Sequence, residues 1–315
     1  MKRTIKFILP LLFYIIFLIL TLLSPMLIKK VVLEAIDIWI NNIIPSLLPF
    51  YILSEFLINY GFVDLFSYLT NNITYSLFKI NGEASFVLIL SLLSGTPSNA
   101  KYIKMLRDKS LINDMEGTKL LTFTHFINPL FIIGITNLLF NNYKITLFIM
   151  GSHYLTNIII GILFRNYYIS PKQKRSLKNS IYNQVRYNFS TTLSNAIQKS
   201  FNILILILGT IIFFLLIINI TNYYLNINQY YQCLINGLIE ITSGVNYLTK
   251  INLPIIYIAS LLTFFLSFGG LSIHMQTKSI INNTQIKYFP YLIARLIHAS
   301  ISSLVVYFLI NTYYM

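Results

Sequence analysis

The stretch Ser94-Gly95-Thr96-Pro97-Ser98-Asn99 interrupts an apolar run and is followed by Lys101. Glycine tolerates unusual dihedrals and proline removes a backbone donor, so a helix cannot pass through unchanged. A helix restarting near Pro97 would aim free N–H groups at the break, which suits a carboxylate or phosphate, and Lys101 adds a positive charge one turn on. A second interruption, Ser267-Phe268-Gly269-Gly270-Leu271-Ser272, precedes His274 and Gln276. The competing explanations are a plain helix end before the 101–119 loop and glycine-mediated helix packing.

Two acids and three prolines extend this set. Glu55 lies late in the run that holds Pro45 and Pro49, and Glu240 opens Glu240-Ile241-Thr242-Ser243-Gly244. A charge at the bilayer centre costs roughly 2.5–3.5 kcal/mol on an insertion scale, so either acid is a candidate for a coupling proton unless it snorkels to an interface. Pro45 and Pro49 are candidate hinges, and Asn128-Pro129 predicts a kink that frees a carbonyl near His125. Catalytic spacing is missing. His125, His153, His274 and His298 are scattered, and there is no zinc-type His pair, nucleophile elbow or P-loop. The residues point away from an enzyme and require no metal or cofactor.

Such groups need elements that hold them in lipid. Of 315 residues, 56% are apolar and 10% charged, against about 25% charged in a soluble domain. A single cysteine, Cys233, excludes an internal disulfide. The net charge of +14 falls in short patches between apolar runs, a pattern of membrane topology rather than nucleic-acid binding. Tyr167, Tyr168, Tyr182 and Tyr187 beside basic residues fit a membrane interface. Uncharged stretches predict crossings at Phe7–Ile28, Ile38–Ser54, Leu120–Tyr143, Ile145–Phe164, Phe201–Ile220 and Leu296–Tyr314. Tyr231–Leu248 is weak, while Ala84–Ala100 and Ile251–Thr277 are interrupted.

Lys2, Arg3 and Lys6, and the acid-free segment from Arg165 to Arg186, place the N-terminus and that segment in the cytoplasm. The chain divides into a first crossing (1–30), a first repeat (31–140), a connecting crossing (141–164), a basic loop (165–190) and a second repeat (191–315). Each repeat is expected to run from an amphipathic stretch and span through a weak segment (62–80; 226–248) and an interrupted run (86–102; 255–279) to a strong span. If the interrupted runs are re-entrant hairpins, the units are inverted copies, the best sequence-level pointer to a secondary transporter.

Four stretches, in order over most of the chain, carry a family likeness: Ile36-Asp37-Ile38-Trp39 through Pro45-Ser46-Leu47-Leu48-Pro49-Phe50; Ser94-Gly95-Thr96-Pro97 with Ala100-Lys101; Asn128-Pro129-Leu130-Phe131-Ile132-Ile133-Gly134; and Phe268 through Gln276. Together they resemble the YlbJ-like sporulation integral membrane proteins, whose repeated element is a nucleoside-recognition or Gate domain. The resemblance implies an all-α polytopic membrane protein with an inverted repeat and two broken or re-entrant hairpins, similar to concentrative nucleoside transporters. It also implies a role in spore formation and movement of dipicolinic acid across a forespore membrane. The expected partners are the lipid bilayer and a small organic, anionic solute, with an oligomer open. The expected solute site is Ser94, Gly95, Thr96, Ser98, Asn99, Lys101, Asn128, Ser267, Gly269, Gly270, His274 and Gln276, with Glu55 or Glu240 as the coupling acid. Breaks or hinges are expected at Pro45, Pro49, Pro97 and Pro129. The alternatives are a non-transporting envelope scaffold and a nucleoside-type transporter.

Overall fold

A computed structural model describes residues 2–172, 188–225 and 227–314. Its exterior is apolar and its interior, beside two apolar clusters, holds many polar groups: Leu130, Leu138, Leu155 and Phe308 are exposed, while Arg295, Lys119 and all four histidines are buried. That inversion of the soluble pattern makes lipid the solvent and the chain an all-α polytopic membrane protein. Among the described residues, five helices have the length and hydropathy to cross a membrane, or six if one bent pair is a single span.

Helix α1 (Lys2–Leu23) stops at Ser24 because Pro25 disfavours helical backbone before it, and α2 (Pro25–Ile38) starts on that proline. A π-helical stretch, Trp39–Ile43, joins α2 to α3 (Ile44–Asn59) through a wide bond from Ile44 N–H to Trp39 O. The wide turn accommodates Pro45, which lacks the donor an ordinary turn requires. Pro45 and Pro49 therefore leave one continuous helix from Pro25 to Asn59, not a broken one. Its counterpart, α10 (Phe189–Tyr224), is of matching length. The two long helices pack together, and Trp39 Nε1 donates to Leu204 O at 2.8 Å.

The remaining elements sort by the faces their ends share. Asn81, just before α5 (Glu83–Ser94), donates to Pro171 O at 3.0 Å. Arg107, at the end of α6 (Ser98–Asp108), binds Asp114 at 3.0 Å, and Asp114 accepts from Gln285 N–H at 3.1 Å. Both ends of α5–α6 thus lie on the face of Arg165–Pro171. The pair is a re-entrant hairpin with its tip at Gly95–Pro97. Helix α4 (Phe62–Phe78), bent 88° from α5, runs along that same face, where Tyr75 donates to Ser170 O at 3.2 Å.

On the opposite face, α11 (Gln229–Ile239) and α12 (Ile241–Leu248) form a second hairpin with Glu240 at its tip. Its base is closed by Gln229 to Lys250 O at 3.0 Å and sits beside the end of α10 through Asn222 and Tyr247, 3.1 Å apart. The arms touch so closely that a Cβ on Gly244 would lie 2.3 Å from Gly237 Cα. Two crossings are broken. Helices α7 (Asp114–Phe123) and α8 (Pro129–Phe140) flank extended residues 124–128, and α13 (Ile255–Phe268) and α14 (Gly270–Ile281) flank Gly269. Helices α9 (Tyr143–Leu163) and α15 (Tyr288–Tyr314) cross unbroken.

Each repeat is therefore a long helix, a hairpin, a broken crossing and an intact crossing, and the hairpins enter from opposite faces. This element order differs by one element from the pairing expected from the sequence. The partner of the 86–102 hairpin is the weak segment 229–248, and the partner of the interrupted 255–281 run is 114–140. Helix α4 has no counterpart, which shifted the match. Leu120–Tyr143 is likewise not one kinked span. The Asn128 side chain accepts from Leu130 N–H and Phe131 N–H, and Pro129 occupies a first-turn position where no donor is missed, so a new helix starts there. The basic loop falls mainly on residues 173–187, outside the described ones.

Candidate functional site

Four discontinuities meet at the centre of the bundle, and the contacts that join them can be followed one by one. At the first hairpin tip, Gly95 has φ +83°, and a Cβ there would lie 2.7 Å from Asn128 N. Asn128 Nδ2 donates to Leu93 O at 3.1 Å while its Oδ1 caps α8. One side chain thus satisfies the end of α5 and the start of α8. At the second broken crossing, Gly269 has φ +95°, and a Cβ there would lie 2.7 Å from His125 Cε1. A Cβ on Gly270 would come within 3.1 Å of Ile239 O, at the tip of the second hairpin.

Extended backbone at membrane depth is tolerated only when protein or a wet cavity satisfies its polar groups. Side chains of α9 and α15 do this around 122–128. Arg295 Nη2 donates to Thr122 O at 2.5 Å, and Asn157 Nδ2 to His125 O at 2.5 Å. His153 Nε2 accepts from Ile127 N–H at 3.1 Å, and the Tyr154 hydroxyl donates to Ile127 O at 2.9 Å. Tyr291 holds the His125 ring through Nδ1 at 2.9 Å. The set closes on itself: Arg295 Nη1 meets His298 Nδ1 at 2.7 Å, His298 Nε2 meets His153 O at 2.8 Å, and His153 Nδ1 meets Ser267 Oγ at 2.9 Å. The histidines expected to be scattered converge here because α7, α9 and α15 pack on one another and His274 of α14 meets the Tyr288 hydroxyl at 2.7 Å. Two of them brace interruptions, His153 through Ile127 N–H and His274 by bonding Phe268 O at 3.0 Å beside Gly269. Among the described residues they form no group that could hold a metal ion.

On the other side of the breaks lies a cavity of about 110 Å³. That is room for several waters or one small solute. Its polar lining is Asn42, Ser46, Ser94, Thr96, Asn128, Glu240, Thr242, Ser272 and Gln276, and its apolar wall includes Ile38, Ile43, Leu47, Ile207 and Ile211 from the two long helices. First-turn or capping residues of α6, α8, α12 and α14 (Pro97, Asn128, Ile241, Ser272) all line it. The N-termini of four helices therefore border one space together with the C-terminal ends of α5 and α11 at Ser94 and Glu240. Glu240 Oε2 accepts from Ser243 N–H at 2.9 Å and from the Thr242 hydroxyl, capping α12.

Of the residues singled out in the sequence, Ser94, Thr96, Pro97, Asn128, Glu240 and Gln276 line this cavity. Gly95, Gly269 and Gly270 form the breaks themselves. Ser98 bonds the Tyr51 hydroxyl at 3.2 Å, and Asn99 reaches Thr124 Oγ1 at 3.4 Å. Lys101 turns away from the cavity. Its Nζ donates to Tyr51 O at 3.2 Å and stands 4.0 Å above the Tyr51 ring. Glu55 also lies apart, buried with Oε2 3.4 Å from Lys199 Nζ. Ser267 belongs to the histidine set and not to the lining. Sequence reasoning missed Asn42, Ser46, Thr242 and Arg295. Starting the last span at Tyr288 instead of Leu296 would have placed a lone cation inside it and flagged Arg295.

No family model matches the chain, and no solved structure matches it. It is 28% identical, over an alignment of 299 positions covering 83% of this chain and 72% of the relative, to the sporulation integral membrane protein YlbJ of Bacillus subtilis (strain 168). With the ordered motifs, that similarity supports a place for the chain in the YlbJ-like family of integral membrane proteins.

Proposed function

We propose that this protein is a secondary transporter for a small organic anion, with dipicolinate in spore formation as the leading candidate. One observation carries the reading: two hairpin tips from opposite faces and two broken crossings meet around a single polar-lined cavity. Broken helices of an inverted repeat that surround a central site are the architecture of alternating access. The solute would lie between Ser94–Thr96, Asn128, Thr242 and Ser272–Gln276, against the isoleucines of the long helices. Glu240, at a hairpin tip and in the cavity wall, would carry the coupling proton in preference to Glu55, which is remote from it. The sporulation role named for the relative and the size of the cavity fit a compact aromatic dianion. By the positive-inside rule, the face of Arg107, Arg165 and Lys287 is cytoplasmic, and so is the N-terminus.

The test is uptake of labelled dipicolinate, and of nucleosides for comparison, into proteoliposomes of the wild type, Gly95→Leu and Gly270→Leu. Saturable dipicolinate uptake lost in both variants while they remain monodisperse supports the reading. Absence of saturable uptake of any of these solutes by the wild type overturns it.

A further inference from the structure

Arg295 is fully buried two turns into α15, and no carboxylate lies within ion-pair distance of it among the described residues. Its partners are Thr122 O, Asn157 Oδ1 at 3.1 Å and His298 Nδ1, and its Nε has none. Because His298 Nδ1 accepts from a guanidinium, the His298 proton sits on Nε2, which donates to His153 O, and the imidazole is neutral. The carbonyl end of α7 offers at most about half a negative charge. A guanidinium keeps its proton in proteins, so a substantial fraction of a positive charge stays uncompensated in a medium where charges act over long distances.

That charge is tied to the cavity wall by a relay of hydrogen bonds. Arg295 reaches Ile127 through His298 and His153, and Ile127 and Asn128 line the cavity. Among the described residues no lysine, arginine or histidine lines it, and Lys101 faces Tyr51. We propose that Arg295 is the fixed counter-charge for the anionic group of the solute, acting across the 124–128 segment without touching the solute. This inference rests on the transport reading. Arg295 is here a positioning and charge-setting residue that also holds the segment in place.

Its test separates charge from packing. Asn157→Asp puts a carboxylate on Arg295 Nη2 and cancels the charge where it stands, Arg295→Gln removes it, and Arg295→Lys keeps it while losing the fork of hydrogen bonds. Each variant is reconstituted, and half-saturation is measured for labelled pyridine-2,6-dicarboxylate, with thermal midpoints followed by Trp39 fluorescence. The expected result is a rise in half-saturating concentration on the order of tenfold for Asn157→Asp and Arg295→Gln, with Arg295→Lys much closer to the wild type. Asn157→Asp also loses the amide donor to His125 O, so it is read against Asn157→Ala, which loses the same bond without adding a charge, and the difference in affinity between the two reports the counter-charge. Should Arg295→Gln fail to fold, Asn157→Asp and Arg295→Lys decide alone. Equal affinity in Asn157→Asp and Asn157→Ala, or equal loss in the Lys and Gln variants, overturns the counter-charge while leaving transport intact. A wild type without saturable uptake overturns both.

Discussion

Gly95 and Asn128 stand so close that a Cβ built on the glycine would lie 2.7 Å from the Asn128 backbone nitrogen. The contact locks a hairpin tip to a broken crossing, and the φ of +83° at Gly95 suits no L side chain. Gly95→Ala is expected to destabilise the protein by about 2–4 kcal/mol, combining backbone strain with overlap. Asn128→Ala, which loses a cap and the Leu93 O partner, is expected to cost about 1–2 kcal/mol. Thermal melts in detergent followed by Trp39, the single tryptophan, measure both. A Gly95→Ala melt equal to the wild type contradicts the packing described.

Under the proposed transport an anionic solute would share the cavity with Glu240, so an ionised Glu240 would repel it and a protonated one would admit it. Protonation increases as pH falls; uptake of a fully ionised anion is therefore expected to rise as pH falls, and a proton travels with it. Glu240→Gln fixes the uncharged form and should flatten the pH profile while preserving binding. Initial rates from pH 5.5 to 8.5, with the opposing proton gradient clamped, give the answer. A profile unaltered by the substitution removes Glu240 as the coupling group.

Lys101 provides a negative control for reading charge from sequence alone. Its ammonium lies over Tyr51 and donates to the Tyr51 carbonyl. Lys101→Met should leave half-saturation within about twofold and lower stability by about 1 kcal/mol through loss of these contacts. A tenfold loss of affinity with unchanged stability would return Lys101 to the solute site.

The two faces make a topological prediction. In a Cys233→Ser background, Ser110→Cys, on the Arg107–Asp114 face, should resist an impermeant thiol reagent applied to intact cells. Tyr143→Cys, which is 71% exposed on the other face, should react. The reverse pattern inverts the assigned orientation.

Local chemistry made the breaks legible in the sequence. The Gly95–Pro97 and Gly269–Gly270 interruptions follow from what glycine and proline do to their own backbone, while Asn128-Pro129, expected as a kink, starts a new helix because the Asn128 side chain caps it. Element pairing was less legible, because hydropathy does not distinguish half-crossings from crossings. Helices α11 and α12 contain Asn236, Thr242 and Ser243 and meet at Glu240, so the hairpin reads as a poor span, whereas the α5–α6 hairpin reads as an apolar run interrupted at Gly95. The buried histidine and arginine network was invisible for another reason. His125, His153 and His298 are far apart in the chain and meet only when α7, α9 and α15 pack.

Gln276 offers the most direct measurement, since it lines the cavity on the α14 side of the breaks and bonds only Ser272 of its own helix, at 3.2 Å. In reconstituted Gln276→Cys, Cys233→Ser protein, the labelling rate of the thiol by a small hydrophilic maleimide is followed with and without dipicolinate. The account predicts labelling from the aqueous phase that slows several-fold, saturably, as the solute fills the cavity. Labelling that is insensitive to the solute, or confined to lipid-soluble reagents, would contradict it.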